Sequence, residues 1–238
     1  MDLMHLEKLR AARDNLAVEE LTIPAQELCE RYEALYTGAV NDVLREHLLL
    51  DQALPASILP LREEMKVAGI AFTIKSAPDP TVSGEMETRA KMLSVVPEHC
   101  VCVWETAGDN ESAHWGEMMT ASVKSRGARG AVIDGGVRDT KQVLAQNFPV
   151  FHRYRTSNGS LGRCKIVGFQ VPVKIGKVII RPGDILFGDI DGVVVVPRNL
   201  AVPVLERAEQ VRNNEKKIWG WIQDGLSAKE VVDKGGYF

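Results

Sequence analysis

Two short blocks hold most of the residues whose types and spacing can do chemistry: Trp115-Gly116-Glu117-Met118-Met119, and the run from Gly127 to Asp139 that ends Asp134-Gly135-Gly136-Val137-Arg138-Asp139. Arg138 offers a planar fork of donors that matches a carboxylate. Asp139, next to it, is a hard oxygen ligand suited to Mg²⁺ or Mn²⁺. Glu117 opens a helical run, and amides with no acceptor inside the helix near Met118 and Met119 would bind an anion. Gly135 and Gly136 permit close backbone approach or a positive φ. Together these residues describe a site for a small oxo-acid held on a divalent cation. The same spacing also allows a simpler reading, in which Arg138 and Asp139 cap the helix beginning at Thr140 and the glycines form a plain turn.

Other polar residues carry weaker signals. Asp189 and Asp191 are possible metal ligands, but Gly188-Asp189-Ile190-Asp191-Gly192 has turn chemistry and reads first as a turn. His114 lies three residues before Glu117 and either packs or lines the same pocket. His152-Arg153-Tyr154-Arg155 adds positive charge after a strand, as a rim or a solvated loop. Ser157–Gly162 is a flexible loop without the Gly-Lys-Ser/Thr ending of a phosphate loop. Cys100 and Cys102 are two apart in one strand and so share a face. With His99 they do not make a recognised zinc spacing. The cysteines, Cys29 and Cys164 included, read as reduced thiols of a cytoplasmic protein.

The elements that must position these residues follow from periodicity. Leu6, Leu9, Leu16 and Leu21 space an N-terminal helical region that Pro24 interrupts, and a second helical piece runs from Glu27 to Leu35. Val67–Ile74 is apolar on both sides, the texture of a buried strand, and His99–Glu105 repeats it. Helices are predicted over Glu117–Ser125, with Gly127 at the stop, and over Thr140–Asn147. Ala131–Asp134 is a short strand ending at Gly135-Gly136, and Pro149–Phe151 another. The last third turns β-rich: a hairpin at Ile175-Gly176, strands at Ile185–Phe187 and Val193–Val196, then one long helix from Ala201 to Ile222. Ser227-x-x-Glu230 is a capping box for a last short helix. This order fits a layered α/β domain. The chain divides into a helical extension (1–35), an α/β domain (36–200) and C-terminal helices (201–238).

Composition narrows the function classes. With 29 basic and 32 acidic residues the net charge is −3, which lacks the basic excess of a protein built for broad nucleic-acid contact. No apolar run approaches the ~20 residues of a membrane span, so no membrane partner is expected.

At the level of whole blocks the chain resembles the RraA-like family. The resemblance is carried by Tyr36-Thr37-Gly38-Ala39-Val40-Asn41-Asp42-Val43, Val67–Thr73, Trp115-Gly116-Glu117, Gly127–Asp139 and Arg181-Pro182-Gly183-Asp184 through Asp191-Gly192-Val193-Val194-Val195-Val196-Pro197. That family contains the 4-hydroxy-4-methyl-2-oxoglutarate aldolases and is often mislabelled as demethylmenaquinone methyltransferase, and no glycine-rich fingerprint here supports the methyltransferase name. The resemblance implies an α/β/β/α sandwich of the swivelling β/β/α type, assembled as a homotrimer or homohexamer. Its aldolases carry an aspartate, twenty intervening residues and then Arg-Asp. Here Glu117 stands in the aspartate's place, twenty residues before Arg138-Asp139. By resemblance Arg138 binds the pyruvyl part, Asp139 holds the metal and Glu117 positions a proton-carrying water; Gly116, Met118 and Met119, at the helix start with its free amides, are the further substrate-binding candidates. Glu215 is the candidate for a glutamate supplied by a neighbouring subunit, with a solvated helix face as its other reading. The implied activity is a class II lyase that cleaves a 4-hydroxy-2-oxo acid to pyruvate and can decarboxylate oxaloacetate. A sugar-acid dehydratase or hydratase on the same metal, and a non-catalytic ribonuclease-binding regulator, are the alternatives.

Overall fold

The computed structural model describes residues 3–14 and 20–238, so Leu16 of the N-terminal helical spacing falls outside the described residues. In chain order the elements are α1 (Leu3–Asp14), α2 (Ala25–Glu33), α3 (Thr37–Glu46), β1 (Leu59–Pro60), β2 (Val67–Pro78), α4 (Glu85–Ser94), β3 (Cys100–Glu105), β4 (Ala113–Trp115), α5 (Glu117–Lys124), β5 (Gly130–Val137), α6 (Thr140–Ala145), β6 (Val150–Arg155), β7 (Cys164–Phe169), β8 (Val173–Ile175), β9 (Val178–Ile180), β10 (Ile185–Asp189), β11 (Gly192–Val196), a 3-10 turn at Arg198–Leu200, α7 (Ala201–Gln223) and α8 (Ala228–Asp233).

One mixed sheet runs β1-β6-β5-β3-β2-β10-β11, with β4 added beside β5 and β7 beside β2. The β2-β3, β3-β5 and β5-β6 pairs are parallel, and β10 returns antiparallel to both β2 and β11. β8 and β9 form a separate hairpin. Strand alternation sorts the side chains into three cores. Cys100, Cys102 and Trp104 of β3 face a core shared with Met92, Met119, Val123 and Val143 of α4, α5 and α6, whereas Val101 and Val103 face the opposite way. That second core holds Leu186, Val193 and Val195 together with Val173, Ile175, Val178 and Ile180 of the hairpin, so it is sheet packed on sheet. Phe187, Val194 and Val196 then turn outward to a third core with α2, α3 and α7. The layers are therefore α/β/β/α, as the resemblance implied. Each fully buried Val, Leu or Phe contributes roughly 1.5–3 kcal/mol of burial free energy, which is why a two-residue periodicity can fix the layering.

Several expectations change in detail. The strand predicted to stop at Asp134 runs on as β5 to Val137. Gly135 and Gly136 are strand residues rather than a turn. A Cβ on Gly136 would meet the Ser112 carbonyl and the Tyr154 ring, each at 2.6 Å. They therefore serve close approach, which lets β4 and β6 pair on either side of β5. His152-Arg153-Tyr154-Arg155 is strand β6 itself, not a segment after it. Helices α3 and α4 and strands β4 and β7 were not anticipated. Leu28, Cys29, Tyr32 and Leu35 are buried in the third core, so residues 25–35 pack with the α/β domain while Leu6 and Leu9 of α1 stay exposed. Among the described residues no helix is long and apolar enough to cross a membrane.

Candidate active site

The two chemically dense blocks meet at the carboxyl ends of β4 and β5. β4 ends at Trp115, Gly116 follows in extended conformation, and α5 begins at Glu117. β5 ends at Val137, so Arg138 and Asp139 emerge beside that helix N-terminus, tied to it by the Arg138 amide donating to the Trp115 carbonyl at 3.0 Å. Asp139 occupies the position before α6 with φ 53° and ψ 35°, and its side chain does not cap that helix. The left-handed backbone, which Asp tolerates better than most residues, goes with a carboxylate directed back to α5. There Oδ2 accepts the Glu117 amide at 3.3 Å and lies 3.6 Å from Nε of Arg138. The capping alternative is thus resolved: Asp139 takes the cap position, but its side chain serves the neighbouring helix.

A cavity of about 310 Å³ opens here, lined among others by Gly116, Met118, Met119, Arg138 and Asp139. Two glycines shape it. A Cβ on Gly116 would sit 2.6 Å from Asp139 Oδ2, and one on Gly159 would sit 3.0 Å from Nη1 of Arg138. In α5 the Thr120 amide already bonds the Gly116 carbonyl and the Glu117 amide bonds Asp139. The Met118 and Met119 amides have no intrahelical acceptor and carry the positive end of the helix dipole.

Five of the predicted site residues therefore share one cavity. Glu117 is half-buried at its edge; its amide reaches Asp139 and its carbonyl accepts Gln146 Nε2 at 3.1 Å, but its side chain is not among the lining groups. Glu215 lies elsewhere on this chain, on α7, where its carboxylate accepts the Tyr36 hydroxyl in a hollow with Arg212 and Trp219. Asp189 is a structural anchor. Its carboxylate accepts the Thr37 amide and hydroxyl, each at 2.8 Å, and the Asp191 amide at 3.0 Å.

The cavity also has members that sequence reasoning missed. Arg89 of α4 is largely buried, pairs with Glu85 at 2.6 Å, and lies 3.4 Å from Ser160 Oγ. The signal for it was the i,i+4 spacing of Glu85 and Arg89. His114 lines the wall and is buried, with Nε2 2.8 Å from Asp109 Oδ2. Packing and pocket lining, posed as alternatives for it, both hold. Burial lowers the His114 pKa, and the Asp109 carboxylate only partly restores it. For Asp109 burial raises the pKa, but hydrogen bonds from the Glu111 amide, His114 and Ser112 together bring it down to about 2. Arg153, expected at a rim, instead pairs with Asp134 at 2.9 Å. Among the described residues one group of three donor side chains could hold a cation: Asp109, His114 and Cys164, behind the cavity wall.

A family model described as "RraA-like: Aldolase/RraA" matches residues 37–195. This chain belongs to the RraA-like family. Among its relatives is a Halalkalibacterium halodurans protein provisionally named 4-hydroxy-4-methyl-2-oxoglutarate aldolase, 33% identical over 175 residues, 74% of this chain and 80% of that one. Protein DlpA of Legionella pneumophila is 30% identical over 175 residues, and the chain spans only 28% of its length. A solved structure described as "Crystal structure of novel cellulases from microbes associated with the gut ecosystem" is 54% identical, covers 91% of this chain and 96% of its own, and superposes with a TM-score of 0.87. The RraA-like match takes in Trp115–Glu117, Arg138 and Asp139, so the cavity lies inside the shared domain.

Proposed function

We propose that this RraA-like protein is a divalent-metal lyase that cleaves a 4-hydroxy-2-oxo acid of the 4-hydroxy-4-methyl-2-oxoglutarate type to pyruvate and a second oxo-acid. The single observation that carries the reading is the convergence of Arg138, Asp139 and the amide end of α5 on one cavity.

The residues fit a hard cation. Asp139 presents a partly exposed carboxylate, and the missing Cβ of Gly116 leaves open the space in front of Oδ2. Mg²⁺ and Mn²⁺ sites commonly use one or two carboxylates, with water and substrate oxygens completing the shell. When bound, such a cation supplies Lewis-acid polarisation of the substrate's keto group.

The chain's own groups do the rest. The Met118 and Met119 amides and the Arg138 guanidinium receive the substrate carboxylate. A water held by Glu117 takes the 4-hydroxyl proton. The C3–C4 electron pair then passes to the pyruvyl fragment as an enolate, and Arg138 places a charged donor at that developing charge. Return of one proton to the enolate carbon yields pyruvate. Oxaloacetate decarboxylation passes through the same enolate, with carbon dioxide in place of the second oxo-acid. Glu117 reaches one methylene further than an aspartate, so its carboxylate can approach the cavity from the edge. Glu215 is assigned the role of completing a neighbouring protomer's site in a homotrimer or homohexamer.

A glycoside-cleaving role, which the word "cellulases" attached to the similar solved structure would suggest, finds less support. That chemistry needs two facing carboxyl groups about 5–5.5 or 6.5–9.5 Å apart. Among the described residues lining this cavity, Asp139 is the one carboxylate.

The test is coupled pyruvate release from 4-hydroxy-4-methyl-2-oxoglutarate and from oxaloacetate, with Mg²⁺ or Mn²⁺ and with EDTA. Metal-dependent turnover that vanishes in Asp139→Ala is the expected result. No pyruvate from either substrate would overturn the assignment, and sugar acids would then be tried for dehydration, which keeps all carbons in one product.

A further inference from the structure

Behind the His114 wall lies a cluster that the lyase reading does not use. Asp109 sits in the turn after β3, His114 is in β4, and Cys164 opens β7. Their donor atoms all lie within 4.8 Å of one another. Oδ2 of Asp109 is 2.8 Å from Nε2 of His114 and 3.6 Å from Sγ of Cys164. His114 is 1% exposed and its Nδ1 is buried with no hydrogen-bond partner; Cys164 is 4% exposed.

We propose that Asp109, His114 and Cys164 form a binding site for a borderline transition-metal ion of the Zn²⁺ class, distinct from the Asp139 centre. The donor types decide the class. Thiolate, imidazole and carboxylate together suit Zn²⁺ or Co²⁺ and not Mg²⁺. The charges close as well. A thiolate, a carboxylate and a neutral imidazole sum to −2, which a divalent ion cancels, so the buried site becomes neutral.

Spacing agrees. With metal–oxygen and metal–sulfur bonds of about 2.0–2.2 and 2.3 Å, a tetrahedral site has an O···S edge of roughly 3.5 Å, close to the observed 3.6 Å. The O···N pair needs to open by about half an ångström. Binding releases the Cys164 thiol proton, and the imidazole proton moves from Nε2 to Nδ1.

The supporting shell is in place. Asp109 Oδ1 accepts the Glu111 amide at 2.9 Å and the Ser112 amide at 3.3 Å. The Tyr154 hydroxyl and Arg153 Nη2 hold the Asp109 carbonyl at 3.0 and 2.6 Å. Such contacts orient a ligating carboxylate. A cleft lined by Pro78, Gly108, Asp109, Ser112, Arg163 and Cys164 provides a way in.

The experiment adds Co²⁺ to the metal-stripped protein and follows thiolate-to-Co²⁺ charge transfer in the near ultraviolet, with Zn²⁺ as competitor. One equivalent of Co²⁺ should produce the band and Zn²⁺ should abolish it. Cys164→Ala should lose the band, His114→Ala should weaken Co²⁺ binding by more than the ~10–100-fold cost of a second-shell change, and Asp139→Asn should keep both. X-ray absorption on the Zn²⁺-loaded wild type, which needs no variant to fold, should show one sulfur at about 2.3 Å. A Co²⁺ band that survives Cys164→Ala, or a zinc shell of oxygen and nitrogen alone, would overturn the proposal. Loss of bound metal only in Asp139→Asn would also overturn it, by placing the ion at the cavity.

Discussion

A methyl group on Gly116 would stand 2.6 Å from Oδ2 of Asp139, so the carboxylate holds its place only because residue 116 has no side chain. Gly116 has φ −168° and ψ −168°, an extended backbone open to any residue, and the constraint is therefore contact alone. Gly116→Ala should fold with a melting temperature near that of the wild type. It should lose metal-dependent pyruvate release by about 100-fold, the cost of misplacing a reacting group by ~1 Å. Steady-state kinetics beside a thermal melt check this. An active Gly116→Ala enzyme would mean that Asp139 is not held where the chemistry occurs.

Arg138 sits against Gly159 with its guanidinium at the cavity. Removing one charged donor from a developing oxyanion costs roughly 100- to 1000-fold in kcat. Arg138→Ala should fall by that amount. Arg138→Lys should recover little of it, because an ammonium cannot present two parallel donors. A kcat/KM of Arg138→Lys near wild type would show that bulk positive charge, not the fork, is what the substrate reads.

How far the sequence foretold this depends on the distance over which each feature is decided. Val67–Ile74 and Val193–Val196 were legible because a short continuous apolar run and β-branching are local signals, and so was the Ser227–Glu230 capping box. Helix α4 was not, because only Glu85 and Met92 of its ten residues are buried and no apolar stripe marks it. β4 is three residues long and exists by pairing with β5. The Asp139 side chain was placed by a partner 22 positions away, at Glu117, which turn rules at Thr140 do not contain. Asp109, His114 and Cys164 come together only through the strand order, 55 residues separating the outer two. Glu117, Arg138 and Asp139 were legible as a register, but Arg89 entered the cavity unannounced.

Asp189 links β10 to the first turn of α3 through Thr37. Asp189→Ala leaves a buried amide and hydroxyl without their acceptor, at about 2 kcal/mol. For a chain of this size the melting temperature should drop by roughly 4–8 °C. The Mg²⁺ concentration for half-maximal pyruvate release should stay the same. If it rises steeply instead, Asp189 is a ligand after all.

His152 gives the fold an acid sensitivity. Burial lowers its pKa from 6.5 to about 4, against the opposing hydrogen bond to the Leu59 carbonyl and with help from Arg155. Between those two values the unfolded chain binds the proton and the native chain does not, so stability rises with pH across the window. The contribution is complete above pH 6.5, is lost as pH falls towards 4, and amounts to about 3 kcal/mol. His114, lowered by its own burial, adds slope of the same sign. Denaturant unfolding from pH 7 to 4 should therefore show falling stability, with a visibly shallower fall in His152→Gln. An unchanged slope in that variant would assign the acid sensitivity to groups other than His152.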